Sequence, residues 1–216
     1  MRAVSWRRGP VVLAVVGLAL LVVGYLAICG GGRRCGWRAA PGPAPGPVVF
    51  LGDSITSGHG LPLEATFPAL LGEALGVPTL NAGVSGDRTA GGLARLDADV
   101  LAYRPRLVVV ELGVNDVFGG VSPGETVANL RAIVGRVHAA GARVVLVHFR
   151  LLGLAGDGYR SELRALARAE GATLVEDILD GVVPELSTDG LHPNTAGHAR
   201  IAERLAPALR PLVGRR

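Results

Sequence analysis

The chain of 216 residues is long enough to fold as one domain around its own hydrophobic core. Its formal net charge of +4 originates in the N-terminal segment, because residues 1–47 contain six arginines and no acidic residue, which leaves a net charge of −2 on residues 48–216. A slightly acidic body lacks the basic surface that a nucleic-acid-binding protein needs, so no nucleic-acid partner is expected.

The first 29 residues predict a membrane anchor. Three arginines in residues 1–9 precede an uncharged apolar run over residues 10–29, and a helix of that length spans about 30 Å, the thickness of the hydrocarbon core. A cleaved signal peptide usually has a shorter apolar stretch, of about 7–15 residues, and a clear small-residue cleavage site. We therefore favour an N-terminal apolar helix that is retained, with the body exported to the periplasmic or extracellular face. Secretion after signal cleavage is the alternative.

Residues 30–47 predict a linker, because they are rich in glycine and proline and contain little to bury. The two cysteines, Cys29 and Cys35, both precede the body at 48–216. A disulfide within that body is therefore excluded, and its own core has to hold it together.

From residue 48 onwards, short apolar runs alternate with segments of helical periodicity. We predict strands at 48–51, 77–81, 107–112, 143–149 and 172–175, and helices at 66–75, 89–103, 122–141, 159–170 and 194–212. Apolar strands separated by helices are typical of a parallel sheet that is covered on both faces. The predicted fold class is thus α/β, a three-layer α/β/α sandwich.

Polar residues follow the first three predicted strands. Asp53 and Ser54 come after the first, residues 83–87 after the second, and Asn115 and Asp116 after the third. Ligands of such sheets bind outside the carboxyl ends of the strands, so these residues are expected to lie on one functional rim.

Two separated segments together suggest nucleophilic catalysis. A serine hydroxyl such as that of Ser54 is a poor nucleophile unless a base takes its proton. Asp189 precedes His192 by three residues, a spacing that lets a carboxylate hold one imidazole nitrogen while the other faces a hydroxyl. Taken alone, each segment is more typical of an ordinary turn or a helix-capping loop.

Two further residues suit the stabilisation of an oxyanion. The Asn115 amide is an uncharged donor at a strand end. Gly86 lacks a Cβ, which would let its backbone N–H approach a substrate closely. By themselves, an Asn after a strand and a Gly in a turn are ordinary loop features.

Taken together, the motifs GDSIT (52–56), Gly86, GVND (113–116) and DGLHPN (189–194) resemble, in this order, the four blocks of the SGNH/GDSL hydrolase family. Residues 81–96, NAGVSGDRTAGGLARL, followed by VVVELGVND, are similar to its bacterial multifunctional thioesterase/arylesterase/lysophospholipase branch. The resemblance covers residues 48–213, and leaves the anchor and the linker outside.

The resemblance implies a serine hydrolase of esters or thioesters with a flavodoxin-like strand order of 2-1-3-4-5. It implies that Ser54 is the nucleophile, that His192 is the general base and then acid, and that Asp189 orients His192. The oxyanion hole would consist of the backbone N–H groups of Ser54 and Gly86 and the side chain of Asn115. We expect a monomer that acts on a small acyl ester or thioester with no metal or cofactor.

Three other functions compete with this interpretation. A carbohydrate or peptidoglycan O-acetyl esterase shares the same blocks. A catalytically silent, tethered binding module would have the same fold but no hydrolase activity. A metal-dependent phosphoesterase would use the acidic residues and the histidine of the rim, namely Asp53, Asp87, Asp116, Asp189 and His192, although these lack the paired spacing of such sites.

The acyl pocket is predicted from apolar residues in presumed loops, namely Phe118, Leu152 and Leu154. The alternative is that these side chains fold onto the local core. His59 and His148 are expected near the rim without an assigned role. His138 and His198 lie in helical segments and are expected at the surface.

Overall fold

The computed structural model describes residues 46–148 and 158–214. The predicted N-terminal anchor, the linker up to residue 45, and both Leu152 and Leu154 lie outside the described residues. Within the two described ranges, every helix is too short or too polar to span a bilayer.

Five strands form one parallel sheet. They are β1 (Val48–Gly52), β2 (Thr79–Gly83), β3 (Leu107–Glu111), β4 (Arg143–Val147) and β5 (Thr173–Val175). Their order across the sheet is β2-β1-β3-β4-β5. The predicted α/β class, the parallel sheet and the strand order are confirmed.

Helices cover both faces of this sheet. They are α1 (Ser54–Ser57), α2 (Phe67–Leu75), α3 (Thr89–Asp99), α4 (Val114–Phe118), α5 (Pro123–Ala139), α6 (Gly158–Glu170) and α7 (Thr195–Val213), with 3₁₀ turns at Leu63–Ala65 and Leu101–Tyr103. Helices α2 and α7 pack on one face, and α3, α5 and α6 on the other. The helix predicted over 89–103 ends at Asp99, and α4 follows β3 where the sequence suggested a loop.

Strand β1 shows how the two cores are separated. Val48 and Phe50 face one core, whereas Val49 and Leu51 face the other, and all four are at most 1% exposed. Successive side chains of a strand point to opposite faces, so an unbroken apolar run is what a doubly covered strand needs. Burial of one such side chain contributes about 1.5–3 kcal/mol.

The prediction that His198 lies at the surface is wrong. Its side chain is 1% exposed, its ring stacks on Phe67 with centroids 5.8 Å apart, and its Nδ1 accepts the Phe67 N–H at 3.0 Å. His198 precedes the buried Ile201 and Ala202 by three and four residues, so it shares their buried helix face. Because histidine is polar, the sequence alone favoured an exposed position. Burial lowers the pKa of His198 to about 4.

The end of β1 is shaped by a close approach at Gly52. A Cβ there would lie 2.0 Å from Thr56 Oγ1 and 2.9 Å from the carbonyl oxygen of Glu111. Only glycine allows α1 to turn back directly against the strand end. This contact sets the position of the helix that begins with Ser54.

Candidate active site

Ser54 is the first residue of α1, at the rim formed by the carboxyl ends of the strands. Asp53 is the N-cap of this helix, and its Oδ1 accepts the Ile55 N–H at 2.9 Å. Asp53 is fully buried, whereas Ser54 remains partly exposed. The cap therefore fixes the first turn of the helix and leaves the hydroxyl accessible.

The structure brings Ser54, His192 and Asp189 together across 138 residues of sequence. His192 Nε2 lies 3.1 Å from Ser54 Oγ, and His192 Nδ1 lies 2.6 Å from Asp189 Oδ2. With the Nδ1 proton held by the carboxylate, Nε2 is left to accept the proton of the hydroxyl. This is the arrangement that activates a serine.

Asp189 is also held by the backbone of its own loop. Its Oδ1 accepts the N–H groups of His192 at 2.8 Å and of Leu191 at 3.0 Å. The backbone N–H of His192, and next its ring and the Leu191 N–H, hold the pKa of Asp189 well below its ordinary value. The carboxylate is therefore ionised at neutral pH.

The loop that carries His192 is braced at both ends. The Thr188 N–H donates to the His192 carbonyl oxygen at 2.9 Å, and Ser187 Oγ accepts the Gly190 N–H at 2.9 Å. Asn194 caps α7 by accepting the Gly197 N–H at 3.0 Å. These contacts fix the backbone that orients the imidazole.

Asn115 lies in the short helix α4, directly beyond β3. Its Nδ2 donates to Asp53 Oδ2 at 3.0 Å and to the Asp87 carbonyl oxygen at 2.9 Å. An amide –NH₂ group carries only two hydrogens, so both are engaged in the substrate-free site. This amide can bind an oxyanion only if one of the two acceptors is shared or replaced.

Gly86 lies in the exposed turn after β2 and has a φ of +78°. No heavy atom lies within 4 Å of where its Cβ would be, so the backbone conformation, rather than a contact within the protein, requires glycine here. Within the described residues, its N–H donates to no protein acceptor. It is thus available to a substrate atom.

Arg95 of α3 pins this turn to the sheet, a role that the sequence did not reveal. Its guanidinium donates to Asp87 Oδ2 at 2.7 Å, to the Ala82 carbonyl oxygen at 2.8 Å and to the Gly52 carbonyl oxygen at 3.1 Å. The ends of β1 and β2 are thereby joined to the Gly86 turn. A helical spacing alone does not indicate that an arginine points toward the rim.

Asp116, next to Asn115, is a structural residue. Its buried carboxylate accepts the Thr89 N–H at 2.9 Å and the Thr89 hydroxyl, and so caps α3 from outside that helix. Thr126 Oγ1 of α5 lies 3.4 Å from the same carboxylate. The helix that carries Asn115 is thereby tied to its two neighbours.

Asp53 and Glu111 form a buried carboxyl pair behind Ser54. Glu111 ends β3, is 1% exposed, and accepts the Thr56 hydroxyl at 2.7 Å. Burial raises the pKa of Asp53 to about 6. Burial, and next the negative charge of Asp53, raise the pKa of Glu111 well above its ordinary value.

Two of the histidines expected near the rim can be compared. His59 is exposed and lies against His192, with ring centroids 4.5 Å apart and planes tilted by 34°. His148 is buried, with its ring centroid 5.7 Å from that of Tyr159. His59 therefore contacts a member of the candidate triad, and no pattern in the sequence indicated this contact.

The predicted acyl-binding residue Phe118 ends α4 and is 53% exposed, next to the exposed Val117. It therefore does not fold onto the core, which was the alternative. The guanidinium of Arg88 packs against Gly119, the residue after Phe118. A Cβ at Gly119 would lie 2.3 Å from Arg88 Nη2. An apolar surface and a cationic group thus lie side by side next to the Asn115 helix.

The side chains proposed for a metal-dependent phosphoesterase have other partners. Asp116 caps α3, Asp87 pairs with Arg95, and Asp189 pairs with His192. Among residues 46–148 and 158–214, no three His, Cys, Asp or Glu side chains form a group that could hold a metal ion.

Comparison with known proteins gives consistent matches over this domain. Residues 50–200 match the model of the GDSL-like Lipase/Acylhydrolase family. The chain is 35% identical over 178 residues to "Esterase TesA" of Pseudomonas aeruginosa, covering 77% of this chain and 89% of the relative. It is 37% identical over 186 residues to "Thioesterase 1/protease 1/lysophospholipase L1" of Escherichia coli K12, covering 82% and 88%. A crystal structure of TesA aligns with a TM-score of 0.71 and 36% identity, covering 77% of this chain and 99% of that one.

Proposed function

Because the chain belongs to the GDSL-like lipase/acylhydrolase family, and is thus a serine hydrolase of ester or thioester bonds, we propose a two-step acyl transfer through Ser54, His192 and Asp189. The observation that carries this proposal is the unbroken chain of hydrogen bonds from Ser54 Oγ through the imidazole to Asp189. A serine outside such a chain has no base to accept its proton.

In the first step, Ser54 Oγ attacks the carbonyl carbon while His192 Nε2 takes the hydroxyl proton. The negative charge that develops on the carbonyl oxygen is bound by the N–H groups of Ser54 and Gly86 and by the Asn115 amide. His192 then gives its proton to the departing alcohol or thiol. In the second step, water attacks the acyl-serine with His192 again as base, and the acid is released.

The assignment is tested with Ser54→Ala and a matched serine on the same short helix. We expect Ser54→Ala in the full chain to lower kcat for p-nitrophenyl butyrate by about 10⁴-fold or more, as in other triads. Ser57 is the control, because its Oγ forms hydrogen bonds with the Ser54 carbonyl oxygen and with Ser85 Oγ, and its alanine variant should stay within about tenfold of the parent.

A fluorophosphonate probe adds a second readout, because it should label the parent and Ser57→Ala but not Ser54→Ala. Near-normal hydrolysis by folded Ser54→Ala would remove Ser54 from the mechanism. Equal labelling of Ser54→Ala would do the same. Absence of both labelling and hydrolysis in the parent would favour the silent binding module.

For the substrate, we propose an apolar acyl chain that lies over Val117 and Phe118 and a leaving group that carries an anionic phosphate. Exposed apolar side chains beside the Asn115 helix support the first part, since large side chains exposed together often mark a binding surface. Arg88 supports the second part, because within the described residues its guanidinium has no anionic partner. Leu152 and Leu154 remain predicted members of the acyl pocket.

Arg88→Gln separates leaving-group recognition from chemistry. A charged hydrogen bond is worth about 1.5–3 kcal/mol, so KM for an acyl-CoA should rise about 10- to 100-fold at low salt. KM for the p-nitrophenyl ester of the same acyl chain, which has no phosphate, should not change. Arg131→Gln, an exposed arginine of α5, is the matched control. Equal changes for both substrates would refute the role of Arg88.

A series of p-nitrophenyl esters with increasing acyl length tests the carbohydrate or peptidoglycan O-acetyl esterase alternative. An acyl-binding surface predicts that kcat/KM rises from acetyl to longer p-nitrophenyl esters, because each buried methylene contributes about 0.8 kcal/mol. A maximum at acetyl, together with release of acetate from acetylated sugars, would favour the alternative.

We also propose that residues 1–29 anchor the protein in a membrane, that 30–47 are a linker, and that the hydrolase domain at 48–216 is exported. The length of the apolar run and the arginines before it support this proposal. Intact full-length protein in a washed membrane fraction, with the domain accessible to external protease, is the expected result. Release of a shortened protein into the medium would instead show signal cleavage.

A further inference from the structure

The buried carboxyl pair behind Ser54 contacts the proposed oxyanion donor directly. Asp53 Oδ2 accepts the Asn115 amide at 3.0 Å, and Asp53 Oδ1 accepts the Ile55 N–H at 2.9 Å. Both oxygens of Asp53 therefore face N–H donors, which is the environment of an ionised carboxylate. An acceptor with full negative charge holds an amide more firmly than a neutral acid would.

Glu111 has the opposite environment. Its Oε2 accepts the Thr56 hydroxyl, whereas no residue in the described part of the chain forms a hydrogen bond with its buried Oε1. A second negative charge beside Asp53 would have to be buried without a cation between the two groups, which is costly. Both carboxyl groups are buried and each affects the ionisation of the other, so the pair shares one proton near neutral pH.

We propose that Glu111 is a positioning residue of the reaction: it carries the one proton of the Asp53–Glu111 pair and so keeps Asp53 ionised as the acceptor that orients Asn115. This inference rests on the proposed function, because it concerns the oxyanion donor of that mechanism. With Asp53 charged, the weaker neutral acceptor, the Asp87 carbonyl oxygen, is the partner that the oxyanion replaces on the Asn115 amide.

Other charged or titratable groups face the pair from the neighbouring elements. His192 favours the ionised form of Asp53, whereas Asp87 disfavours it. Arg95 donates to the Gly52 carbonyl oxygen next to Asp53, and also neutralises Asp87. Tyr159 of α6 faces Glu111 and remains protonated, because burial and nearby carboxylates raise its pKa.

The protonation state can be measured without any assay of hydrolysis. The infrared spectrum of the full chain at pH 7.5 should contain the carbonyl stretch of a protonated carboxylic acid. This band should disappear in Glu111→Gln and persist in Glu73→Gln, a control at an exposed glutamate of α2. Absence of the band from the parent protein, or its persistence in Glu111→Gln, would overturn the proposal. The parent measurement holds even if the variant does not fold.

The activity of Glu111→Gln gives an independent test, since glutamine mimics the protonated acid but cannot lose its proton. At alkaline pH the parent should lose activity as Glu111 ionises, and Glu111→Gln should not. Identical pH profiles of the parent and the folded variant would overturn the proposal.

A double-mutant cycle asks whether Asp53 acts through Asn115. Asp53→Asn should lower kcat by about 10²-fold with little change in KM, and the double variant Asp53→Asn/Asn115→Ala should be no slower than Asn115→Ala alone. Additive losses would mean that Asp53 acts elsewhere. Failure of the proposed function is recognised separately, because it would appear as activity in Ser54→Ala, while the infrared result would stand unaffected.

Discussion

The replacement of Asn115 by alanine tests two contributions of this side chain: oxyanion binding and the hydrogen bond to the buried Asp53. The change removes a donor that reaches Asp53 Oδ2 at 3.0 Å and the Asp87 carbonyl oxygen at 2.9 Å. Loss of one oxyanion donor costs about 10²–10³-fold in kcat, or about 2.7–4 kcal/mol of transition-state stabilisation. Because the donor acts on charge that develops only in the transition state, KM should change little.

The same variant should also be less stable. It leaves a carboxylate oxygen of the buried Asp53 without its amide donor, and an unsatisfied buried polar group costs about 1–3 kcal/mol. Urea unfolding and steady-state kinetics with p-nitrophenyl butyrate, both at pH 7.5, measure the two effects. Asn129→Ala is the matched control, because that amide donates at 3.1 Å to Thr89 Oγ1, away from the serine.

The kinetic result decides between two roles for Asn115. If kcat falls by less than about tenfold while stability falls as expected, Asn115 is a structural residue and the oxyanion is bound by backbone groups alone. If KM rises and kcat is unchanged, the amide contacts the substrate in its ground state. Either result would refute the assignment of Asn115 to the oxyanion hole.

Three further predictions follow from individual contacts. Asp116→Ala should lower the free energy of unfolding by about 1–3 kcal/mol in urea, because it removes the buried cap of Thr89, whereas Asp97→Ala, at an exposed ion pair, should change it by less than about 0.5 kcal/mol. Asp189→Asn should lower kcat about 10⁴-fold with the fold intact, since an amide does not hold the imidazole in the required tautomer; a loss below tenfold would contradict this. The pKa of His198 is lowered from 6.5 to about 4 in the folded protein, so its stabilising contribution is present above pH 6.5 and is lost as the pH falls toward 4. Between these values, the free energy of unfolding of the parent, measured in urea, should fall by up to about 3 kcal/mol relative to that of His198→Gln. The same pH dependence in both proteins would show that the pKa of His198 is not lowered.

The sequence was sufficient for the order and type of the large elements. Strands such as Leu107–Glu111 are unbroken apolar runs, and Ser122 with Glu125 marks the beginning of α5, where the serine side chain does accept the Glu125 N–H. The rim could also be predicted, because parallel strands end on one edge. The pairing of Ser54 with His192 is predicted by the order of the motifs along the chain, rather than by any local pattern.

Short or isolated features were harder to predict. Helix α4 has only five residues, and its N-cap is Gly113, which has no side chain that could cap the helix. The burial of His198 is not predicted from its residue type, because histidine is polar, although its spacing from Ile201 and Ala202 places it on the buried face of α7. The partners of Arg95 lie on two strands and a turn, so no spacing along the chain could indicate them.

The contact between Asp53 and Asn115 explains why two sequence blocks separated by about 60 residues have to occur together. The first block contributes the carboxylate of Asp53, next to the nucleophile, and the third contributes the amide of Asn115 that donates to it. Neither local sequence specifies the hydrogen bond, which exists only because β1 and β3 are neighbours in the sheet with Gly52 opposite Glu111. That register also places Glu111, the last residue of β3, beside the strand end that Asp53 follows, so the pairing of β1 with β3 positions both buried carboxyl groups. The proposed oxyanion donor is thus oriented by Asp53 before a substrate binds, so that only its hydrogen bond to the Asp87 carbonyl oxygen has to be exchanged during the reaction.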